Sequence, residues 1–430
     1  MFGRYWKVVV LMLFLAQVIN YLDRSAFSVA APIITKQLHF SPAELGILLS
    51  SFSVGYAVFN FVGGYLSDMY GPRRVYGGAM TLWSIFCGLT TLGFNFASMF
   101  IIRLIFGIGE GPLATTTNKT LTNWVPKAKH AGAVGIANAG SPLGGAIAGP
   151  IVGLIAVYSS WKVSFLAITI IGLLWAVVWL RIVKDHPRQH SKVSPEELQE
   201  IEQGKAWPSG VSNAIKIPLS HYLKQPTVLF TAVAFFTFNY ILFFFLTWFP
   251  SYLSIEKHLS IKNISIATSI PWIVGTVGVL LSGWISDYIY KKTKNLMFSR
   301  KVVLVVGLLG AAVCVGLAGL AQTPVSAVVL MTIGIFFMYI TGAIYWSIIS
   351  DNVATERVGG VGGFIHAIAN VSGIIAPTVT GVIVQSTGSF VSAFLVAGIL
   401  AIVGAVCVML FVRPMRDTSA RRQEPNHMSV

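Results

Sequence analysis

Continuous apolar blocks of roughly 20 residues recur along the chain, each bounded by charged residues or by glycine and proline. In helical form, a block of this length spans the hydrocarbon core of a bilayer. Only 10 % of the 430 residues are charged, whereas a soluble domain carries about 25 %. So little polar surface cannot cover so much apolar volume, which excludes a water-soluble enzyme. Because barrel strands alternate in polarity and these blocks do not, the sequence predicts an all-α membrane protein.

The blocks predict twelve transmembrane helices. Most of them exceed 20 residues, which indicates tilt or extension beyond the hydrocarbon layer. The expected spans run near 7–35, 43–67, 75–93, 97–122, 131–157, 162–183, 226–254, 263–289, 301–320, 325–349, 358–386 and 389–412.

One long hydrophilic stretch divides the spans into two sets of six. Four segments are therefore expected: an N-terminal six-helix bundle at 1–184, a cytoplasmic linker at 185–224, a C-terminal six-helix bundle at 225–413 and a cytoplasmic tail at 414–430. Within the linker, Ser194, Pro195 and Glu197 have the pattern of an N-cap, a first helical residue and an N3 residue. The pattern predicts a short surface helix.

The net charge of +15 reflects membrane topology rather than a nucleic-acid partner. With a cytoplasmic N-terminus, 23 of the 30 lysines and arginines fall on the cytoplasmic side, four on the opposite side and three within spans. This asymmetry places both termini in the cytoplasm. Cys87, Cys314 and Cys407 all lie in apolar segments, so they are expected to be small buried side chains. No phosphate-binding loop, metal-ligand cluster or nucleophile–base pair is present, and we expect neither a cofactor nor a catalytic site.

The two halves of the sequence repeat. Gly64 and Asp68 at the end of span two recur as Gly283 and Asp287 at the end of span eight, in both cases 219 residues later. The Asn20-Tyr21 pair recurs as Asn239-Tyr240 at the same offset. Three features at one offset indicate a duplicated unit, which is a common origin of transporter folds.

The loops that follow these motifs have an expected role in gating. Asp68 precedes the basic pair Arg73 and Arg74, and Asp287 stands at the equivalent position of the second half. A carboxylate at this position can accept hydrogen bonds from a helix N-terminus, and the basic pair anchors the cytoplasmic face. We expect these four residues to latch the halves rather than to contact a substrate.

The segment from Gly64 to Arg74 resembles the signature of the major facilitator superfamily. Several further segments resemble its anion:cation symporter family: Asn20 to Arg24 in span one, Arg103 to Pro112 in span four, Phe245 to Leu253 in span seven, and Asn370 with Gly373 and Pro377 in span eleven. The resemblance implies two pseudo-symmetric six-helix bundles. It also implies transport of organic anions, in bacteria often sugar acids, generally coupled to protons.

Four ionisable residues lie clearly within spans: Asp23, Arg24, Arg103 and Glu110. An isolated charge at the bilayer centre is costly, so such groups face an aqueous cavity and pair with one another. Arg103 and Glu110 are two helical turns apart and share a face, whereas Asp23 and Arg24 point about 100° apart. The resemblance suggests that Arg24 faces the cavity and that Asp23 faces Arg103.

These four residues carry the expected chemistry. The planar guanidinium of Arg24 suits bidentate capture of a substrate carboxylate. Glu110 and Asp23 are the candidates for proton coupling, because opening of a cavity changes both their hydration and their contact with the arginines. Alternatively, Arg24 forms a structural ion pair with Asp23 or Glu110, and Asp23 serves as a latch to Arg103.

Further substrate contacts are expected in both halves. His366 is the single histidine within a span and can bond hydroxyls or titrate, although a packing role is equally consistent with its position. Asn370, one turn later, shares its face and suits sugar hydroxyls. The weaker candidates are aromatic or polar residues of the spans that also suit packing, namely Tyr21, Tyr56, Trp346 and Ser347.

The sequence as a whole indicates a monomeric proton-coupled symporter of a bacterial inner membrane. It would import a small organic anion, most consistently a sugar acid such as a hexonate, hexuronate or aldarate. The alternative is an organic-anion exchanger or a drug/proton antiporter of the same superfamily. Drug exporters have broadly apolar cavities, and sugar-phosphate exchangers are expected to have a basic residue in span seven. The segment from Thr227 to Ser254 has none.

Overall fold

The computed structural model describes residues 4–126, 129–203, 218–353 and 355–415, and within these ranges the chain is helical with no strand. The α-helices are α1 (Tyr5–Leu38), α2 (Pro42–Tyr70), α3 (Pro72–Leu89), α4 (Phe96–Glu110), α5 (Leu113–Trp124), α6 (His130–Asn138), α7 (Gly140–Tyr158), α8 (Trp161–Ile182), α9 (Pro195–Glu202), α10 (Leu219–Leu223), α11 (Pro226–Ile255), α12 (Ile261–Ala267), α13 (Ser269–Thr293), α14 (Leu296–Gly319), α15 (Pro324–Asn352), α16 (Thr355–Thr387) and α17 (Val391–Phe411). Residues 204–217 of the predicted linker and 416–430 of the predicted tail lie outside the described residues.

Twelve stretches of the described chain are long and apolar enough to cross a membrane, which confirms the predicted number of spans. Span four consists of α4 and α5, span five of α6 and α7, and span eight of α12 and α13. The break in span four falls at Gly111 and Pro112. Pro112 has no N–H to donate and its ring crowds the preceding turn, so the helix restarts there.

The spans form two six-helix bundles whose packing partners correspond. Span one packs on span five, span two on span four and span three on span six. In the second half, span seven packs on span eleven, span eight on span ten and span nine on span twelve. The repeat found in the sequence is therefore a repeat of structure. The halves meet where span two contacts span eleven, where span five contacts span eight, and where span one contacts span seven.

Spans two and eleven are in close contact on the side opposite the termini. A Cβ atom added to Gly46 would lie 2.5 Å from the carbonyl oxygen of Pro377, so this crossing requires glycine. One turn further, the Ser50 hydroxyl donates to the carbonyl oxygen of Ile374 at 2.7 Å. Spans five and eight cross in the same way, since a Cβ atom on Gly149 would lie 2.3 Å from the Ser265 carbonyl oxygen.

The ends of spans two and eight on the side of the termini are exposed instead. The Asp68 and Asp287 side chains are each 65 % exposed. Asp68 accepts a hydrogen bond from Lys119 at 2.6 Å, and Asp287 lies 3.8 Å from Arg300, so each carboxylate pairs within its own half. The close crossings between the halves thus lie on the side opposite the termini, whereas Asp68 and Asp287 on the side of the termini each pair within their own half.

The linker helix lies where the sequence predicts it. Ser194 accepts a hydrogen bond from the Glu197 N–H at the start of Pro195–Glu202. The Glu197 carboxylate does not return to the cap but accepts the Trp6 N–H at 2.8 Å. Since this N–H belongs to the first turn of span one, the linker is fixed to the N-terminal half.

The close crossing at Gly46 predicts a defined effect on conformation. Overpacking by Gly46→Val costs about 1–3 kcal/mol. The conformation in which the halves are closed on the side opposite the termini should then be less populated by roughly five- to hundredfold. Ser53→Cys, placed in a chain without native cysteines, should then react faster with an impermeant maleimide added on that side. Gly78→Val is the matched control, because a Cβ atom there meets nothing within 4 Å. Equal labelling rates in the two glycine variants would contradict the expectation.

Candidate functional site

Arg24 of span one and Glu110 of span four form a buried ion pair at the centre of the N-terminal half. The Arg24 Nε donates to the Glu110 Oε2 at 2.6 Å, and the two side chains are 8 % and 0 % exposed. The buried Asn20 side chain of span one also interacts with the Glu110 carboxylate. Both charges have lost most of their hydration, so their mutual attraction is what keeps them in this position.

Three aromatic rings surround the Arg24 guanidinium. Its Cζ lies 4.5 Å from the ring centroid of Tyr56, 4.9 Å from that of Phe52 and 5.4 Å from that of Tyr21. Such rings attract a cation through their electron-rich faces without neutralising it. Tyr21 and Tyr56, both predicted as site residues, therefore lie beside Arg24. In this conformation Arg24 forms the ion pair that the sequence left as an alternative to substrate capture.

The structure gives Asp23 a different partner from the one implied by the resemblance. The Asp23 Oδ2 accepts the indole N–H of Trp83 at 3.0 Å, and no described residue donates a hydrogen bond to its Oδ1. Arg103 instead lies over the ring of Phe27, with its Cζ 4.4 Å from the centroid. Phe27 is one turn beyond Asp23 on the same face of span one, and its ring occupies the position next to Arg103.

The register of spans two and eleven relates Asn370 of the C-terminal half to the Arg24 site. A Cβ atom on Gly373 of span eleven would lie 2.8 Å from the Ser53 hydroxyl of span two. Spans two and eleven run antiparallel, so one turn toward the termini brings Tyr56 opposite Asn370. Asn370 thus lies across the space between the halves from the rings that surround Arg24.

His366, Asn370 and Trp346 form one cluster. The Asn370 amide donates to the main-chain oxygen of His366 at 2.9 Å and lies 2.8 Å from its ring Nδ1. The His366 ring centroid is 6.1 Å from that of Trp346 and 5.8 Å from that of Phe235. The Ser347 hydroxyl, in contrast, donates to the main-chain oxygen one turn earlier in its own helix. The cluster offers amide and imidazole groups beside aromatic rings, a surface suited to a hydroxylated ring.

The sequence profile of the Major Facilitator Superfamily matches residues 13–375 and, in an overlapping second match, 297–428. The chain belongs to this superfamily. It is 52 % identical to the hexuronate transporter of Bacillus subtilis (strain 168) over 431 residues, with 100 % of each chain covered. It is 31 % identical to the probable galactarate/D-glucarate transporter GarP of Escherichia coli (strain K12), with 94 % of each chain covered. It is therefore a membrane transporter related to carriers of sugar acids, and not an enzyme.

Solved transporter structures have the same fold. A bacterial homologue of the human lysosomal transporter Spinster, in an inward-facing and occupied conformation, superposes with a TM-score of 0.77 at 17 % identity. The match covers 96 % of this chain and 97 % of that one.

The four predicted gating residues of this major facilitator protein lie at the ends of spans on the side of the termini. Asp68 and Asp287 form the ion pairs described above. The Arg73 side chain donates to the carbonyl oxygen of Leu180, which ties the start of span three to span six. Arg74 is exposed. In this conformation these side chains act within their own halves.

Sequence reasoning missed two tryptophans that shape the site. Trp272 of span eight packs edge-on against Tyr21, with centroids 5.8 Å apart, and covers Gly145. The internal repeat could have indicated Trp272, because the 219-residue offset relates it to Ser53. Each of these residues lies where its span contacts the other half. Trp83 had no such signal, since a tryptophan within a span looks like any packing residue.

The hydrogen bond from Trp83 to Asp23 predicts a pH-dependent stability effect. Trp83→Phe keeps most of the ring volume but removes the donor, at a cost of about 1–3 kcal/mol. An indole N–H stabilises a carboxylate more than a carboxyl group, so the cost is greatest at high pH and decreases as Asp23 binds a proton. Thermal unfolding in detergent at about pH 5 and about pH 8 measures it.

Trp175→Phe is the matched control for this measurement. Its indole N–H donates to the main-chain oxygen of Met12 at 3.1 Å, which is a neutral acceptor. The cost of losing this bond should not depend on pH. The same pH dependence in both variants would contradict a titrating acceptor at Asp23.

Proposed function

We propose that this transporter imports a hexuronate together with protons by alternating access. The observation that carries the proposal is the buried Arg24–Glu110 pair, in which one guanidinium serves one internal carboxylate. The 52 % identity to a protein named as a hexuronate transporter supports the choice of substrate class. Exchange of organic anions would use the same binding site but would not need a titrating carboxyl.

Substrate capture follows from competition for Arg24. A hexuronate presents a carboxylate of the same chemistry as the Glu110 side chain that Arg24 now contacts. Glu110 now accepts one hydrogen bond, from the Nε–H of Arg24, whereas the planar fork of a guanidinium can bind a substrate carboxylate in bidentate fashion. Rings of Tyr21, Phe52 and Tyr56 limit access of water to this contact and strengthen it. Substrate binding therefore releases Glu110 from its cation.

Proton coupling follows from that release. An ionised Glu110 left without Arg24 would be a buried carboxylate at 0 % exposure without its cation, which is strongly unfavourable. Uptake of a proton removes this charge, so the substrate carboxylate and the proton enter together. Asp23 is the second proton site of the proposal, because the Trp83 indole N–H stabilises its ionised form and Arg24 supplies positive charge nearby.

The remainder of the substrate would face the C-terminal half. The sequence of spans seven, ten and eleven over 226–255, 324–352 and 360–387 contains no lysine or arginine. Asn370, His366 and Trp346 instead offer hydrogen bonds and an aromatic face to sugar hydroxyls and ring carbons. A sugar acid with one carboxylate suits this arrangement better than an aldarate, whose second carboxylate would lack a cation.

The proposal includes an orientation and an assembly state. Both termini would face the cytoplasm of a bacterial cell, with the protein in the inner membrane, as the distribution of lysines and arginines favours. The described conformation would then open to the cytoplasm. Each chain contains a complete site between its own halves, so a monomer would suffice.

Substitution of Arg24 tests substrate capture. In proteoliposomes with an imposed pH gradient, Arg24→Lys should weaken the apparent affinity for glucuronate or galacturonate by roughly ten- to hundredfold, because a charged bidentate contact is lost. Arg181→Lys is the matched control, since this arginine is exposed in the last turn of span six. Unchanged affinity in Arg24→Lys would overturn the assigned role.

Substitution of Glu110 tests proton coupling separately. Glu110→Gln keeps the size of the side chain but cannot gain or lose a proton. The response of uptake to a pH gradient should therefore fall to what Asp23 alone supports, while exchange of internal for external hexuronate continues. Glu44→Gln is the control, because glutamine also supports the N-terminal capping box of span two. Undiminished hexuronate-driven proton influx in Glu110→Gln would overturn the assignment.

A further inference from the structure

A groove lies on the outer surface of the C-terminal half, between the start of span nine and the end of span twelve. Its volume is about 470 Å³, within the range of ligand-binding cavities. Its floor consists of apolar side chains, namely Met297, Val302, Val305, Val306, Met409 and Val412. Spans nine and twelve pack on each other, whereas the two halves meet through other spans, so the groove is separate from the central site.

Two cationic residues, Lys301 and Arg413, line the groove. The Lys301 ammonium donates to the carbonyl oxygen of Met409 at 2.8 Å, which holds it over the end of span twelve. An ammonium has three N–H donors, so two remain for a ligand. Arg413 lines the same groove, and its main-chain N–H donates to the Thr227 hydroxyl at 3.1 Å. None of the described residues that line the groove is acidic.

The position of the groove indicates what neutralises these charges. Lys301 lies in the second turn of span nine, and Arg413 follows the last turn of span twelve, so both are at the membrane boundary on the side of the termini. Val306 and Met409 are about half exposed, at 55 % and 50 %, on a surface that faces hydrocarbon. A soluble anion would satisfy the cations but gain nothing from the apolar floor, whereas a phospholipid satisfies both.

We propose that this groove binds one anionic phospholipid of the leaflet on the side of the termini. Its phosphate lies between Lys301 and Arg413, and one acyl chain lies along the apolar floor toward Val306. Basic pockets between transmembrane helices recognise anionic headgroups by this combination of charge and apolar contact. The site concerns lipid alone and does not depend on the transported substrate.

Native mass spectrometry of the full-length protein, titrated with phosphatidylglycerol or phosphatidylcholine, tests the site. The wild type should prefer phosphatidylglycerol. Lys301→Gln/Arg413→Gln should lose roughly fivefold in phosphatidylglycerol affinity for each cation removed, with phosphatidylcholine binding unchanged. Val306→Trp fills the groove without changing charge and should weaken binding of both lipids at this site. It provides an independent measurement if the charge variant folds poorly.

The matched control is Lys291→Gln/Lys292→Gln, which removes two exposed charges on the same side of the same half. It should retain wild-type affinity for phosphatidylglycerol. Wild-type affinity in both groove variants, or an equal loss in the control, would overturn the proposal. Displacement of the lipid by glycerol phosphate alone would also overturn it, since the site would then recognise a free anion rather than a lipid.

Discussion

The contact on which the site depends is the ion pair between Arg24 and Glu110. Two opposite charges can be buried together, while either one alone costs several kcal/mol. Under the proposed function, the transporter can change conformation with its buried charges balanced in two states. In one, Arg24 is paired with ionised Glu110; in the other, Arg24 is paired with a substrate carboxylate and Glu110 is protonated. Any other occupancy leaves a net charge inside the protein. Coupling then needs no contact between proton and substrate, only a requirement that the buried charges cancel.

Comparison of equivalent positions in the two halves shows that the charged residues of the site lie in one half only. The offset of 219 residues relates Arg24 in span one to Phe243 in span seven. The position equivalent to the Arg24 cation is therefore occupied by an uncharged ring, which packs against Gly373 of span eleven. The N-terminal half thus supplies the ions, and the C-terminal half supplies rings and neutral polar groups such as Asn370. This division gives the site one charged end and suits a substrate with one charged end.

Much of the fold and part of the site could be predicted from the sequence. Apolar blocks give the twelve spans, because the bilayer fixes their length, and the cost of intramembrane charge singles out Asp23, Arg24, Arg103 and Glu110. Which charges pair could not be predicted, since helix periodicity gives the face of a residue but not the neighbour across it. Phe27 shares the face of Asp23, and its contact with Arg103 depends on how spans one and four pack.

Arg103 shows why the four charges are best considered together. It is 5 % exposed, and within the described part of the chain no carboxylate lies at ion-pair distance from it and no group accepts a hydrogen bond from its Nε. Contacts with aromatic rings are worth about 2 kcal/mol when desolvated, less than the cost of burying a cation without a counterion. The charge of Glu110 acts on Arg103 from a distance, through a poorly screened interior. Addition of a proton to either acid leaves the cluster positive, and the neighbouring space becomes more favourable for an anion.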